Sequence, residues 1–358
     1  MTYISSIKTG ILIFPMLALF ITIPYMIWMY RRYGSINIIK TLIVYSFVLY
    51  LESCYLLVIL PLPKVADVHT SYSQMINLIP FAFIGDFIRE SPFNLFRLST
   101  YIQTIKDPTF YVPMFNILML IPFGMYLRYY FKFSLKKVII FTALLSLFFE
   151  LTQLSGLYFI YDSPYRICDI DDIIQNTTGG LLGYYIVGLF NSILPDRDNL
   201  DEVSLKKGES VSGLRRIFAF SIDVFVIGFI SSTIAIFIPF SFIIVTLLYF
   251  TFMPIKNGRT IGSRILNFHF EMENKNKRNL FLRSLGIVVY FYALPRFLNF
   301  IMDLINGRAD NMLLVSIFFS AFMLFIIYLL LNIILILSNR KFPFDKIGRV
   351  SYYSDIKK

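Results

Sequence analysis

Long apolar runs, each about as long as a bilayer is thick, dominate this sequence and restrict the folds it can adopt. Crossing a hydrocarbon core of about 30 Å takes roughly 20 helical residues. Of the 358 residues, 57% are hydrophobic and only 15% are charged. We therefore predict an all-α fold, a polytopic transmembrane helical bundle of about nine helices. The runs cover residues 10–30, 41–61, 109–131, 137–158, 173–194, 217–237, 239–255, 284–303 and 312–337.

The runs on either side of Pro239 allow two interpretations, either two full crossings or one hairpin of shorter spans. The first run is clearer, because it lacks the small-residue cleavage site of a signal peptide and is followed by Arg31 and Arg32. These features indicate a helix that is retained.

The distribution of lysine and arginine between the runs indicates how the helices are oriented. An excess of these residues marks cytoplasmic loops, so the N-terminus is predicted to lie outside and the C-terminus inside. The net charge is +11, and the basic residues lie in short clusters between apolar runs. This distribution is typical of the loops that orient a membrane protein and not of a nucleic-acid-binding surface. Clusters on the predicted inner side include Arg31 and Arg32, Lys136 and Lys137, Lys206 and Lys207, and Arg215 and Arg216.

A polar segment at residues 196–213 divides the runs into five and four. Its charged, serine and glycine residues predict a cytoplasmic linker between two membrane domains, residues 1–195 and 214–358. The first domain has a long outer loop over residues 62–108, and the second has a cytoplasmic loop over residues 256–283.

Cysteine and histidine are too few and too scattered to suggest a disulfide framework or a metal site. Cys54 falls in a predicted helix and Cys168 in an outer loop. His69 and His269 are far apart and have no neighbouring cysteine, so neither a metal nor a cofactor is predicted.

Charged and amide side chains concentrate between the fourth and fifth runs. An ionised group near the centre of a membrane helix costs about 2.5–3.5 kcal/mol, so such groups are usually paired or functional. Glu150 and Gln153 are three residues apart and share a face of the fourth helix, while Asp172 and Asn176 share a face at the start of the fifth.

The loop between these two helices carries Arg166 and Asp169. If the helices are antiparallel neighbours, Arg166 is expected to reach back to the carboxylates and form a compact network with them. That network either binds a ligand or locks the helical hairpin. Gly179 and Gly183 form a GxxxG pair, which lets another helix approach closely.

Two further motifs precede this stretch. Asn116 lies inside the third run, where Pro122-Phe123-Gly124 predicts a break that is either a kink against the bundle or part of a substrate cavity. In the outer loop, a turn at Asn77-Leu-Ile-Pro80-Phe81 precedes the amphipathic segment 86–103. That segment caps the bundle, lies on the membrane surface or dips back into the membrane.

Together these motifs resemble the VanZ-like family of bacterial membrane proteins, over residues 10–195. The resemblance implies a multi-pass protein of the bacterial plasma membrane and an association with resistance to teicoplanin-type lipoglycopeptides. It implies no particular reaction. The motifs that carry it are Asn77-Leu-Ile-Pro80-Phe81, Asn116 with Pro122-Phe123-Gly124, Glu150-xx-Gln153, Arg166-xx-Asp169-x-Asp171-Asp172, and Asn176-Thr-Thr-Gly179-Gly180-xx-Gly183.

The second domain contains a different set of motifs. Arg216 and Asp223 are two turns apart on one helix, which suits a pairing inside the bundle. In the cytoplasmic loop, the glycines around Thr260 predict a tight juxtamembrane turn, and the segment 265–280 predicts a small hairpin. These motifs resemble the RDD family over residues 212–352, a few of whose members are described as taking part in ion or proton exchange. The residues that carry this resemblance are Arg216, Asp223, Gly258, Thr260, Gly262 and Asp345.

Three functions follow as hypotheses. The first is a non-catalytic envelope protein whose outward-facing site binds an anionic lipid-linked cell-wall precursor or an amphiphilic lipoglycopeptide, with Arg166 meeting the anionic group. The second is a transporter in which Asp223 and Glu52 carry ions or protons, and the third is an intramembrane lipid-phosphate hydrolase with Glu150 and Asp172 as acid and base. Membrane lipids are expected partners. The predicted ligand-binding residues are Asn77, Asn116, Glu150, Gln153, Arg166, Asp169, Asp172 and Asn176.

Overall fold

A computed structural model describes residues 3–64, 68, 70–190, 194–236, 238–272, 277–305 and 312–356 of the protein. The helices up to residue 208 are α1 (Tyr3–Tyr33), α2 (Ile38–Ile59), α3 (Ala82–Glu90), α4 (Ser99–Ile105), α5 (Pro108–Tyr129), α6 (Leu135–Leu154), the short α7 (Gly156–Phe159), α8 (Ile170–Leu189) and α9 (Arg197–Gly208). A 3-10 turn at Tyr72–Gln74 precedes β1 (Ile76–Asn77), and β2 (Cys168–Asp169) precedes α8.

The remaining helices are α10 (Gly213–Ile234), α11 (Ser241–Phe252), α12 (Ile261–Ile265), α13 (Lys277–Val288), α14 (Leu294–Ile305), α15 (Met312–Leu337) and α16 (Pro343–Ile347). A π-helical turn at Val289–Ala293 joins α13 to α14, so the two form one long helix. The strands of this part are β3 (Phe268–Met272) and β4 (Val350–Ser354). The protein therefore has the predicted all-α, polytopic fold, with only two short two-stranded sheets among the described residues.

Among the described residues, seven helices are long and apolar enough to cross a membrane: α1, α2, α5, α6, α10, the continuous α13–α14, and α15. The other two predicted crossings correspond to α8 and α11. Helix α8 has 20 residues, but its acids, amides and glycines make it less apolar than the seven. Helix α11 has 12 residues, about 18 Å of helix, which agrees with the alternative of shorter spans around Pro239.

The described chain forms two compact units, one of Met1–Phe20 with Ile39–Leu200 and the other of Ile21–Ile38 with Asp201–Lys358. The division at Leu200 falls inside the polar segment 196–213, which forms helix α9 and is not an extended linker. Helix α1 contributes residues to both units. The domain limits at residues 195 and 214 stay predictions.

Helices α5 and α8 run parallel and in close contact at the centre of the first unit. A Cβ atom at Gly124 would lie 2.0 Å from the Gly180 carbonyl oxygen, and one at Gly183 would lie 2.0 Å from that of Ile121. The predicted GxxxG pair therefore packs against α5, which brings Asn116 on α5 beside the start of α8.

Helix α5 continues through Pro122, so Pro122-Phe123-Gly124 does not interrupt it, and the kink expected there stays a prediction. Proline removes one backbone donor, but the helix tolerates this loss where its neighbours pack closely around it. Phe123 is buried in the core of the unit together with Leu120, Leu127 and Phe149. The α5 side chains of this core pack against Phe149 of α6.

In the second unit, strand β3 pairs antiparallel with β4, with Phe268 opposite Ser354. The predicted hairpin at residues 265–280 is therefore wrong, because the partner strand comes from the C-terminal segment. Arg215, whose side chain is fully buried, donates hydrogen bonds to the carbonyl oxygens of Leu266 and Asn267 at 2.9 and 2.6 Å. It thereby fixes the start of β3 against α10.

Candidate functional site

A cavity of about 640 Å³ lies within the first unit. It brings together six of the eight predicted ligand-binding residues, which come from three helices and the loop before α8. These six are Asn116, Glu150, Gln153, Arg166, Asp172 and Asn176. The rest of the lining is mostly apolar and consists of Leu57, Val58, Leu60, Pro61, Tyr111, Val112, Phe115, Met119 and Phe149.

The start of α8 positions Glu150. Asp169 is the N-cap of α8, and its side chain accepts a hydrogen bond from the Asp171 amide at 2.8 Å. The Asp169 amide in turn donates to a Glu150 carboxylate oxygen at 2.9 Å. Glu150 is only 3% exposed, so this backbone bond fixes a buried carboxylate beside the cavity.

Asn116 links α5 to α8. Its side-chain amide donates to Asp172 Oδ1 at 2.7 Å and to Gln175 Oε1 at 3.0 Å. Gln175 is a buried contact that the sequence interpretation missed, although it lies one turn after Asp172 on the same face. Because Asn116 holds one Asp172 oxygen, the orientation of that carboxylate is set by its neighbours.

Asn176 is held from the neighbouring helix α6. Its amide donates to Ser146 Oγ at 2.9 Å, and its own carbonyl oxygen has no hydrogen-bond partner within the described part of the chain. Asn176 is 3% exposed and lines the cavity. A buried acceptor without a partner is costly, and a ligand donor would satisfy it.

Arg166 contacts the end of α2 and not the acids. Its guanidinium donates to the carbonyl oxygens of Val58 and Leu60 at 2.8 and 2.9 Å, and Gln153 donates to the same Val58 oxygen at 2.9 Å. The predicted direct network of Arg166 with the carboxylates is therefore wrong. The last carbonyls of a helix lack intrahelical donors, and Pro61 supplies no N–H, so the arginine satisfies them. Arg166 nevertheless lines the same cavity as Glu150 and Asp172.

Asn77 and Asp169 lie beside this cavity and not on its wall. The Asn77 amide donates to Asp169 Oδ2 at 3.0 Å, and β1 pairs parallel with β2 so that these residues are opposite each other. Both line a second cavity of about 360 Å³, together with Asp86, Glu90 and Asp171. Asp172 lines both cavities.

Asp171 is the second functional contact that sequence reasoning missed. Its carboxylate accepts from the Phe81 and Phe83 amides at 2.5 and 3.0 Å, and it is 2% exposed. It thus caps the start of α3 from the start of α8. The sequence contained a signal for this contact. Phe81, which follows the Pro80 turn, begins α3 but cannot cap it with its own side chain, so the helix needs an acceptor from elsewhere.

Cys168 lies beside Glu150 in β2. Burial, together with the nearby charges of Glu150 and Asp169, raises the pKa of the Cys168 thiol to about 11. The thiol is therefore protonated at neutral pH, which makes it a poor nucleophile.

Three of the six motif residues of the second unit, Arg216, Asp223 and Thr260, line a small cavity of about 40 Å³. Arg216 and Arg283 both approach Asp345, at 3.9 and 3.0 Å. The Asp223 carboxylate accepts from the Tyr249 hydroxyl at 2.6 Å and the Gly262 amide at 2.7 Å. The expected Arg216–Asp223 pair is therefore wrong, since Asp345 takes the place of Asp223.

The glycines of this motif allow close approach of the backbone. Gly258 has φ +59°, and a Cβ atom there would lie 2.0 Å from the Phe270 carbonyl oxygen. A Cβ atom at Gly262 would lie 2.0 Å from the Ala219 carbonyl oxygen. Thr260 caps α12 through the Ser263 amide, so the predicted tight turn is present.

Other titratable groups do not join either cluster. Glu52 on α2 is buried, and neither of its carboxylate oxygens bonds another described residue. His269 pairs with Asp355 at 2.7 Å, whereas His69 lies outside the described residues. Within the described ranges, no three His, Cys, Asp or Glu residues are placed to hold a metal ion.

Residues 47–191 match the family model described as VanZ/LLP1. This confirms the VanZ-like part of the resemblance over that range, which includes every residue of the larger cavity. No curated protein and no solved structure was found to match the chain.

Proposed function

We propose that this multi-pass membrane protein binds an amphiphilic ligand in the larger cavity of its first unit. The observation that carries the proposal is the composition of the lining, in which six polar side chains share one cavity with an apolar wall. Pockets that bind small molecules are mostly apolar, with a few polar groups that fix orientation and specificity. A ligand with a polar head group and an apolar chain matches both parts.

The polar side chains suit particular groups of such a ligand. Arg166 donates two of its five N–H groups to the α2 carbonyls, which leaves three donors for an anionic group. Glu150 and Asp172 would accept hydrogen bonds from hydroxyl or amino groups. Gln153, Asn116 and Asn176 add amide contacts, so a glycosylated or peptidic head group fits better than a simple one.

The VanZ-like match supports a place in the bacterial cell envelope. We infer that the ligand is a lipid-linked cell-wall precursor or a teicoplanin-type lipoglycopeptide, and that binding contributes to resistance. The protein would then lie in the bacterial plasma membrane with its N-terminus outside. In this role it needs no reaction.

We further propose that the second unit is RDD-like and that its motif residues have a structural role. One oxygen of the Asp223 carboxylate accepts hydrogen bonds from both Tyr249 and Gly262, which supports a structural role for this residue. Flux of protons or monovalent cations into vesicles that contain the full chain would favour the transporter hypothesis instead.

The proposal is tested by resistance of cells that express the full chain. We expect Glu150→Gln and Arg166→Ala each to lower protection against a teicoplanin-type lipoglycopeptide by about tenfold, because a hydrogen bond to a charged group contributes roughly 1.5–3 kcal/mol. Arg97→Ala is the matched control, since Arg97 is exposed in the outer loop and lines neither cavity. Protection equal to wild type in both site variants, at equal protein levels, would refute the assignment.

Turnover of a lipid phosphate by purified protein would favour the hydrolase hypothesis instead.

A further inference from the structure

One wall of the cavity is formed by the end of α2 and the start of α5. These helices touch along one half of their length, where the Tyr50 hydroxyl donates to the Met119 carbonyl at 2.7 Å and the Tyr126 hydroxyl donates to Ser46 Oγ at 2.9 Å. The Phe47 ring stacks there on Phe123, at 6.0 Å between centroids. This half is closed by aromatic side chains and hydrogen bonds.

Towards the C-terminus of α2 and the N-terminus of α5, the same two helices line the cavity instead. Leu57 and Val58 come from α2, and Tyr111, Val112 and Phe115 come from α5. The three α5 side chains are 43%, 45% and 44% exposed although they line the cavity. A large part of each of these side chains is therefore not covered by protein atoms, which leaves room for an opening in the cavity wall here.

The depth of the opening indicates what those surroundings are. Helix α5 begins at Pro108 and is long and apolar enough to span the membrane. At a rise of 1.5 Å per residue, Phe115 lies about 10 Å along the helix axis from its start. Tyr111 lies nearer the helix start, as an amphipathic aromatic residue does at the level of lipid head groups. An opening between these two depths meets head groups at one end and acyl chains at the other.

We propose that the ligand enters the cavity sideways from the bilayer, between the outer-end halves of α2 and α5, and that it is a membrane-resident lipid or lipid-anchored molecule. This inference rests on the proposed function, because it names the class of ligand for the same cavity. The polar head group binds among Asn116, Glu150 and Arg166, while the apolar chain leaves through this opening and stays in lipid. An amphiphile bound this way need not withdraw its chain into water, which would cost about 0.8 kcal/mol per CH₂ group.

Fluorescence quenching tests the opening without any knowledge of the ligand. The full chain is reconstituted in phosphatidylcholine vesicles, with Trp28→Phe to remove the chain's single tryptophan and Phe115→Trp as the reporter. We expect lipids with brominated acyl chains to quench this reporter as strongly as they quench Leu118→Trp, which is 55% exposed on the same helix and does not line the cavity. Aqueous acrylamide should quench both weakly. Tyr111→Trp is the substitute reporter if Phe115→Trp does not fold.

Strong quenching by acrylamide, with little by brominated lipid, would show that the opening faces water and would overturn the inference. A second arm compares binding of one glycopeptide with and without its acyl chain to the purified full chain. We expect only the acylated form to bind, and equal binding of both forms would contradict lateral entry while leaving the proposed function intact. Loss of the proposed function would instead show as unchanged resistance in the Glu150 and Arg166 variants.

Discussion

Arg166 illustrates how one side chain serves both stability and recognition. Its two hydrogen bonds to Val58 and Leu60 tie the loop before α8 to the end of α2, and the same guanidinium lines the cavity. Substitution therefore affects two properties at once. A substitution that keeps the positive charge but removes the paired hydrogen bonds separates the effect on stability from the effect on ligand binding.

We predict that Arg166→Lys keeps the positive charge but lowers the free energy of unfolding by about 1–2 kcal/mol, because an ammonium group cannot bridge two carbonyls as a guanidinium fork does. Thermal unfolding in detergent measures this change. Arg97→Lys, at an exposed position, should alter stability by less than about 0.5 kcal/mol. Equal melting temperatures for wild type and Arg166→Lys would show that the α2 contacts add no stability.

Asp171 gives a second prediction at this scale. In Asp171→Asn one carboxylate oxygen becomes an NH₂ group, so either Phe81 or Phe83 loses its acceptor. We expect faster amide hydrogen exchange in residues 76–90, which mass spectrometry measures. Asp86→Asn is the control, because Asp86 makes only a surface pair with Arg89 at 2.7 Å and such pairs contribute little. Unchanged exchange in residues 76–90 would contradict the capping role of Asp171.

The site residues show how far sequence could predict this cavity. Asn116, Glu150 and Asp172 could be predicted because they are polar residues in apolar stretches of sequence, and the structure brings these three together. The partner of Arg166 could not be predicted, because it is a pair of backbone carbonyls about 100 positions earlier. Pro61 indicates in the sequence that α2 ends there, but no sequence signal shows which distant side chain donates to the carbonyl groups left unsatisfied.

At the scale of elements, glycines decide which helices pair. The spacing of Gly179 and Gly183 predicted close approach, but not that the partner would be α5. Gly124 on α5 faces Gly180, which gives both helices a smooth surface there. The pairing of β3 with β4 could not be predicted for a related reason. Phe268 and Ser354 are 86 residues apart, and the sequence of neither strand indicates which strand it pairs with.

We predict that Gly183→Ala separates α5 from α8, because its Cβ atom would lie 2.0 Å from the Ile121 carbonyl oxygen and the backbone must move. The folded protein recovered after size-exclusion chromatography should fall sharply. Gly228→Ala is the matched control, since a Cβ atom on that helical glycine meets nothing within 4 Å. Alanine there should raise stability by roughly 0.5–1 kcal/mol. Equal yields of the two variants would mean that α5 and α8 can separate at no cost.

At the scale of the whole molecule, the N-terminal helix belongs to both units. Residues Ile21–Ile38 group with Asp201–Lys358, although in the sequence they belong to the end of the first run of the first domain and the segment after it. Tyr30 is 1% exposed and lies in a core with Ala219, Leu266 and Phe268. Hydropathy predicts that this helix spans the membrane, but every apolar side chain in it looks equally suited to lipid or protein. The difference between Tyr30 and its lipid-exposed neighbours is therefore set by tertiary packing.

This arrangement predicts that a substitution near the N-terminus loosens the C-terminal half of the chain. Tyr30→Ala should cost about 3–5 kcal/mol, typical of truncating a buried aromatic side chain, and the cost should fall on the second unit. Hydrogen exchange by mass spectrometry should rise in residues 201–356 and stay unchanged in residues 39–190. Ile23→Ala, on the same helix but 55% exposed, should change neither region. Faster exchange confined to residues 39–190 in Tyr30→Ala would mean that this end of α1 stabilises the first unit, and that the division of the chain follows sequence order.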